Sequence, residues 1–171
     1  LEDILIVPYD AAWPERFAVE AVALRAMLPP GLVTRIEHFG STAVPRLDAK
    51  PIIDILVGVR SLAEAKSDSI GPLEAAGYSY WRANPDPNRL FLVKGLPPNG
   101  PRTHHLHLVE AESEMWGRLL FRDYLREHND EAARYAVLKR DLAARFSGDR
   151  EAYTHGKTDY VTAVLAQARK S

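Results

Sequence analysis

One run limits the folds open to this chain more than any other: Ile52-Ile53-Asp54-Ile55-Leu56-Val57-Gly58-Val59, apolar with a single acid in it. A short run rich in β-branched residues reads as a strand, and its near-continuity predicts a sheet covered on both faces. An ionised carboxylate inside such a strand is costly unless it is paired, hydrogen-bonded or bound to a cation. Asp54 therefore demands a partner.

The flanking sequence predicts the rest of an α+β domain. Trp13, Phe17, Ala21, Leu24 and Leu28 form a helical stripe, with Pro14 in the first turn and Pro29-Pro30-Gly31 as the stop. Strands are expected over 4–7, 33–39, 52–59, 78–81, 89–94 and 103–110. A turn and short helix fall at 40–48 and a helix at 61–76. From Ser113 only helices follow, at about 113–127, 130–146 and 149–169. With no repeat and no Gly/Ser linker, the 171 residues read as one domain: a mixed, helix-flanked sheet in 1–112 and a helical portion in 113–171.

Composition removes several functions. The 46% hydrophobic content argues against disorder. With 22 Lys and Arg against 23 Asp and Glu, no overall basic field exists for bulk nucleic-acid binding, so a polyanion needs a local patch. The absence of cysteine excludes disulfides, thiol catalysis and Cys-ligated metals. The acidic opening Leu1-Glu2-Asp3-Ile4 is neither a signal peptide nor a membrane span, so the expectation is a soluble, cytoplasmic protein without membrane partners. Oligomeric state stays open.

Three local patterns carry chemistry. Gly40-Ser41, at a strand end turning into a helix, reads either as a capped turn or as a phosphate cradle of N–H groups and helix dipole. Lys50 and Arg46 offer a partner for Asp54 or charge for a phosphate. His104, His105 and His107 lie on an alternating strand, so His105 and His107 share a face opposite Leu106 and Leu108. That pair could ligate a metal, meet a phosphate, serve in acid–base chemistry, or simply form a polar face. With Val109 and Thr103 flanking, no third histidine continues the alternation, which rejects a histidine-triad hydrolase. Arg118, Arg122 and Arg126 form a helical stripe that is either solvated or contacts phosphate. Tyr135, Leu138, Leu142 and Phe146 read as core.

The stretch His38-Phe39-Gly40-Ser41-Thr42-Ala43-Val44-Pro45, continuing through Leu47, Ala49-Lys50-Pro51 and Ile52-Ile53-Asp54-Ile55, resembles the signature of the GrpB family of the nucleotidyltransferase-fold superfamily. Tyr9, Trp13, Arg102, His105 to Leu108, Phe121 to Arg126, Tyr135, Leu138-Lys139, Tyr153 and Lys157 extend the likeness over nearly the whole chain. The resemblance implies a nucleotidyltransferase-like fold in which Gly40, Ser41, Thr42, Lys50, Arg102 and Arg122 hold nucleotide phosphates. Asp54 matches the first carboxylate of an acid–apolar–acid pair that would share two metal ions. The second position is Leu56, a departure that puts nucleotidyl transfer in doubt. One carboxylate with substrate phosphates suffices for Mg²⁺, and His105 and His107 stand where a third carboxylate would. The expected catalytic and metal-binding set is thus Asp54, His105 and His107. It would use Mg²⁺ or Mn²⁺, with Zn²⁺ less suited, to move a nucleotidyl or phosphoryl group from a nucleoside triphosphate to a small acceptor. The alternative is a non-catalytic nucleotide- or phosphate-binding accessory domain, as in relatives fused to dephospho-coenzyme A kinase.

Overall fold

The computed structural model describes residues 3–171; Leu1 and Glu2, and with them the start of the acidic opening, lie outside the described residues. Strands β1 (Val33–Phe39), β2 (Ile53–Val59), β3 (Tyr78–Tyr80), β4 (Leu90–Lys94) and β5 (His104–Val109) make one sheet ordered β1-β2-β5-β4-β3. The central pair β2 and β5 is parallel and the other pairs are antiparallel, so the sheet is mixed. A parallel pair needs a crossover. It is supplied by helix α2 (Leu62–Ala75) and the β3–β4 pair, with Ser61 capping α2 by accepting from the Glu64 N–H at 3.1 Å.

Period-two alternation gives the sheet two unlike faces. On the inner face Ile53, Ile55, Val57, Leu106 and Leu108 pack with Trp13 and Leu24 of α1 (Trp13–Met27) and Ala65 and Leu73 of α2. On the outer face stand Asp54, Leu56, His105, His107, Phe91 and Phe39. Helices α3 (Arg118–Glu127), α4 (Asn129–Arg145), α5 (Arg150–Gly156) and α6 (Thr158–Arg169) complete this side. They are anchored by Leu119 on Phe39, Leu56 and Val109, by Leu125 and Tyr135 on Val44 and Leu47, and by Leu142 and Tyr153 on Ile4. Both faces are covered, as the apolar run requires. Among the described residues no helix is long and apolar enough to cross a membrane.

Three expected elements come out differently. Residues 4–7 form only one bridge, Val7 to Ala49. The next bonded pair toward residue 4 would need an N–H from Pro51, which has none, and on the other side the Tyr9 N–H donates to Asp48 Oδ1 at 3.2 Å instead. The helix expected after Gly40 is a single 3₁₀ turn, Ser41–Ala43. The helix expected over 149–169 breaks at Lys157, after Gly156, where a Cβ would collide with the Leu142 side chain.

Candidate functional site

Register builds the site. Phe39 of β1 lies opposite Asp54 of β2, and across the parallel pair Asp54 faces His105 while Leu56 faces His107. Asp54 Oδ1 sits 3.6 Å from His105 Nδ1 and 3.9 Å from His107 Nε2. Its side chain keeps 28% of its surface exposed at the floor of a cleft. Burial pushes the Asp54 carboxyl up, but the two imidazoles that face it outweigh this and hold it well below the usual carboxylate range. The side chains against Asp54 are the imidazoles rather than the expected Lys50 or Arg46; Lys50 stands within electrostatic reach.

Each imidazole is held on its other side by an arginine. Arg102 Nη1 is 3.4 Å from His105 Nε2, and Arg89 Nη1 is 3.3 Å from His107 Nδ1. A guanidinium can only donate, so those nitrogens carry lone pairs and the hydrogens sit at His105 Nδ1 and His107 Nε2, both aimed at Asp54. Burial keeps His107 neutral, pulling its pKa down to about 4 against the raising effect of Asp54. Phe91 packs on both imidazoles (centroids 5.4 and 4.8 Å) and Phe39 on His107 (5.3 Å).

This arrangement answers the metal expectation. Ligation by Asp54, His105 and His107 together needs imidazole lone pairs converging with the carboxylate, whereas the arginines turn those lone pairs outward. Among the described residues, no group of three or more His, Asp or Glu side chains is placed to hold a metal ion. At the second acidic position, Leu56 is fully buried with Phe39, Val109 and Leu119. The three-ligand set does not fit a metal as it stands.

The Gly40 turn serves Asp54 more directly than a phosphate. Gly40 has φ +73°, and a Cβ there would lie 2.5 Å from Asp54 Oδ2. The bend is glycine because the carboxylate occupies that space. With only three residues in the 3₁₀ turn, no helix dipole builds up, which corrects the dipole half of the cradle expectation. The Thr42 hydroxyl is 2.9 Å from His38 Nε2. His38 faces α1, stacked on Phe17 at 4.8 Å, and burial lowers its pKa to about 4.

Positive charge gathers opposite Asp54. Two ammonium groups stand over the Tyr153 ring, Lys50 Nζ at 4.9 Å and Lys157 Nζ at 4.7 Å from its centroid. Tyr153 is fully buried and, among the described residues, its hydroxyl has no hydrogen-bond partner. Lys139, 1% exposed, gives its ammonium to the Asp48 carbonyl at 2.6 Å. Burial lowers the pKa of Lys50 and Lys157 to about 8 and of Lys139 to about 6, helped for Lys50 and Lys139 by their lysine neighbours. All of these side chains, with Arg89, Arg102 and Arg118, line one open cleft of about 1880 Å³.

Of the expected site residues, Gly40, Ser41, Thr42, Lys50, Asp54, Arg102, His105 and His107 line this cleft. Arg122 does not. Its guanidinium donates to Glu37 Oε2 (3.0 Å), the His38 carbonyl (2.9 Å) and Asp123 (2.9 Å), which ties α3 to β1 and corrects its assignment to phosphate. Lys139, Tyr153 and Lys157, which extend the family likeness, also line the cleft; Tyr135, read as core, is both core and lining. Arg89 escaped sequence reasoning, since nothing local marks a lone strand-end arginine as facing a histidine on another strand.

Comparison with known proteins follows the same outline. The family model described as GrpB protein matches residues 3–167. A UPF0157 protein of Pseudomonas aeruginosa is 51% identical over 168 residues, 96% of this chain and 67% of that protein. The crystal structure of the conserved protein GrpB from Enterococcus faecalis superposes with a TM-score of 0.86 at 36% identity, covering 97% of this chain and 98% of the other. A dephospho-CoA kinase of Mycolicibacterium paratuberculosis is 29% identical over 175 residues, 88% of this chain but 42% of the kinase.

Proposed function

The chain belongs to the GrpB family, and from that premise we propose that its cleft binds a phosphate-bearing small molecule, a nucleoside triphosphate in the nucleotidyltransferase-like reading, and moves a nucleotidyl or phosphoryl group to a small acceptor. One observation carries this reading: a buried tyrosine, its hydroxyl without a hydrogen-bond partner among the described residues and its ring approached by two lysine ammonium groups, on the lining of an open cleft. Uncompensated cations with depressed pKa values and an orphaned donor are all relieved by one ligand class, an anion rich in acceptor oxygens.

In this reading Lys50, Lys157 and Tyr153 hold the phosphates, and Arg102 joins them from the histidine side. Asp54 accepts the Nδ1 hydrogen of His105, which fixes the tautomer and leaves Nε2 as the base for an acceptor hydroxyl once a phosphate draws Arg102 toward itself. No step is routed through a metal, since the three-ligand set does not fit one.

Calorimetric titration of adenosine triphosphate, without and with Mg²⁺ or Mn²⁺, tests the reading on wild type and on Lys50→Ala/Lys157→Ala. Binding without added metal, weakened by one to two powers of ten in the double variant, is the expected result. Wild-type protein that binds no triphosphate, or a double variant that binds it equally well, overturns it. Tight Zn²⁺ or Mn²⁺ uptake by the free protein, lost in His105→Ala/His107→Ala, would restore the metal-centre expectation.

A second reading is a non-catalytic binding or accessory domain. Two observations favour it: Leu56 sealed where a second carboxylate would stand, and the likeness to part of a dephospho-CoA kinase. Pyrophosphate or phosphate release with a library of small acceptors separates the two, since the accessory reading predicts binding without release.

A further inference from the structure

The outer face of the sheet does not end at the histidines. Register carries Asp54 across to His105, then to Val93 of β4 and Ser79 of β3. The next row runs from Leu56 to His107 and Phe91, and the Trp81 N–H then donates to the Phe91 carbonyl at 3.0 Å. Three strand spacings, roughly 14 Å, thus separate Asp54 from the β3 edge. There the face opens into a second hollow of about 400 Å³, walled by Trp81, Phe91, Val93, Leu96 and Arg102 among others. Trp81, Phe91 and Arg102 line the large cleft as well, so the two spaces adjoin.

The chemistry of this hollow differs from that of the cationic cleft. Trp81 is 46% exposed, a large aromatic surface left to water. Its ring meets Phe91 edge to face (6.1 Å, 77°), and Phe91 in turn packs on His105 and His107. Arg102, whose planar guanidinium suits both an aromatic face and a phosphate, borders both spaces. An apolar, aromatic-walled recess beside a cationic cleft fits a ligand with a flat unsaturated ring at one end and phosphates at the other.

Resting on the phosphate-binding reading above, we infer that the recess between Trp81 and Phe91 is a subsite for a flat aromatic ring, so that the ligand is a nucleotide held by its base as well as its phosphates. The ring lies against Trp81, Arg102 spans the middle, and the phosphates reach Lys50, Lys157 and Tyr153.

The experiment compares adenosine triphosphate with inorganic tripolyphosphate, by calorimetry, on wild type, Trp81→Ala and Trp81→Phe. Wild type is expected to prefer the nucleotide about 10-fold, a preference lost in Trp81→Ala, largely kept in Trp81→Phe, and accompanied by unchanged tripolyphosphate affinity. Equal affinity for the two ligands in wild type, or a preference that survives Trp81→Ala, overturns the aromatic subsite while leaving the phosphate reading standing. Failure of wild type to bind either ligand overturns both.

Discussion

The two faces of the sheet obey opposite rules although they share the same strands. Along β2, Ile53, Ile55, Val57 and Val59 point inward, are all but inaccessible and belong to one apolar cluster, with His104 and His38 as the polar cross-strand partners of Ile53 and Ile55. Their alternates change character within five residues. Asp54 opens on the cleft, Leu56 is sealed under Leu119, and at Gly58 a Cβ would meet Trp116 and Thr34. The inner face supplies stability uniformly. The outer face divides the work, with its apolar end docking the C-terminal helices and its polar end facing solvent.

That division can be broken most severely at Leu56. Leu56→Asp restores the acid–apolar–acid pattern on paper but buries a carboxylate against Phe39, Val109 and Leu119. The expected cost is roughly 3–5 kcal/mol, the penalty of an uncompensated buried charge. Urea denaturation measures it. A variant as stable as wild type would mean that the sealed end is wet.

The polar end has its own constraint in Gly40, whose φ of +73° and lack of a Cβ both make room for Asp54. Gly40→Ala should cost roughly 1–3 kcal/mol from backbone strain and collision. In Gly40→Ala/Asp54→Ala the collision disappears and only the strain remains, so the two changes should be clearly non-additive. Additive costs would show that the bend and the acid are independent.

Much of this contrast was legible in the sequence. Val33–Phe39 emerges with its expected ends, bounded by the turn residues Gly31 and Gly40. The alternation of His105 and His107 against Leu106 and Leu108 likewise told which residues share a face. What sequence spacing left out is non-local. That β5 inserts beside β2, in parallel and in the register that sets His105 against Asp54, depends on a crossover that no window of residues encodes. The same holds for Arg89 against His107, and for Arg122, whose partners on β1 lie more than eighty residues away in the chain. The turn at Ser41 shortened for a local reason: Pro45 cannot donate a further helical bond, and the chain leaves the turn in extended conformation at Val44.

The cationic side of the cleft sharpens the contrast through pH. Lys50 and Lys157, with pKa values lowered to about 8 by burial, are charged below that pH and neutral above it. Tripolyphosphate affinity should therefore hold on the acid side and fall as pH rises through 8, by up to about tenfold per pH unit for each lysine that must be protonated. Lysines at their ordinary pKa would keep the affinity level to pH 10. Calorimetry from pH 6.5 to 9.5 distinguishes the two.

The smallest effect on folding is expected at Trp81. Trp13 belongs to the inner face, is 1% exposed and packs edge to face with Tyr9 at 5.4 Å. Trp81 belongs to the outer face, nearly half exposed at the sheet edge, with Phe91 as its ring partner. Loss of that single aromatic contact is worth about 1 kcal/mol or less. Trp81→Ala should thus unfold within about 1 kcal/mol of wild type in urea, with an unchanged slope. A cost of several kcal/mol would make Trp81 a structural residue of the β3 edge. A near-neutral result leaves an aromatic side chain that the fold does not need, standing beside the charged cleft over Asp54.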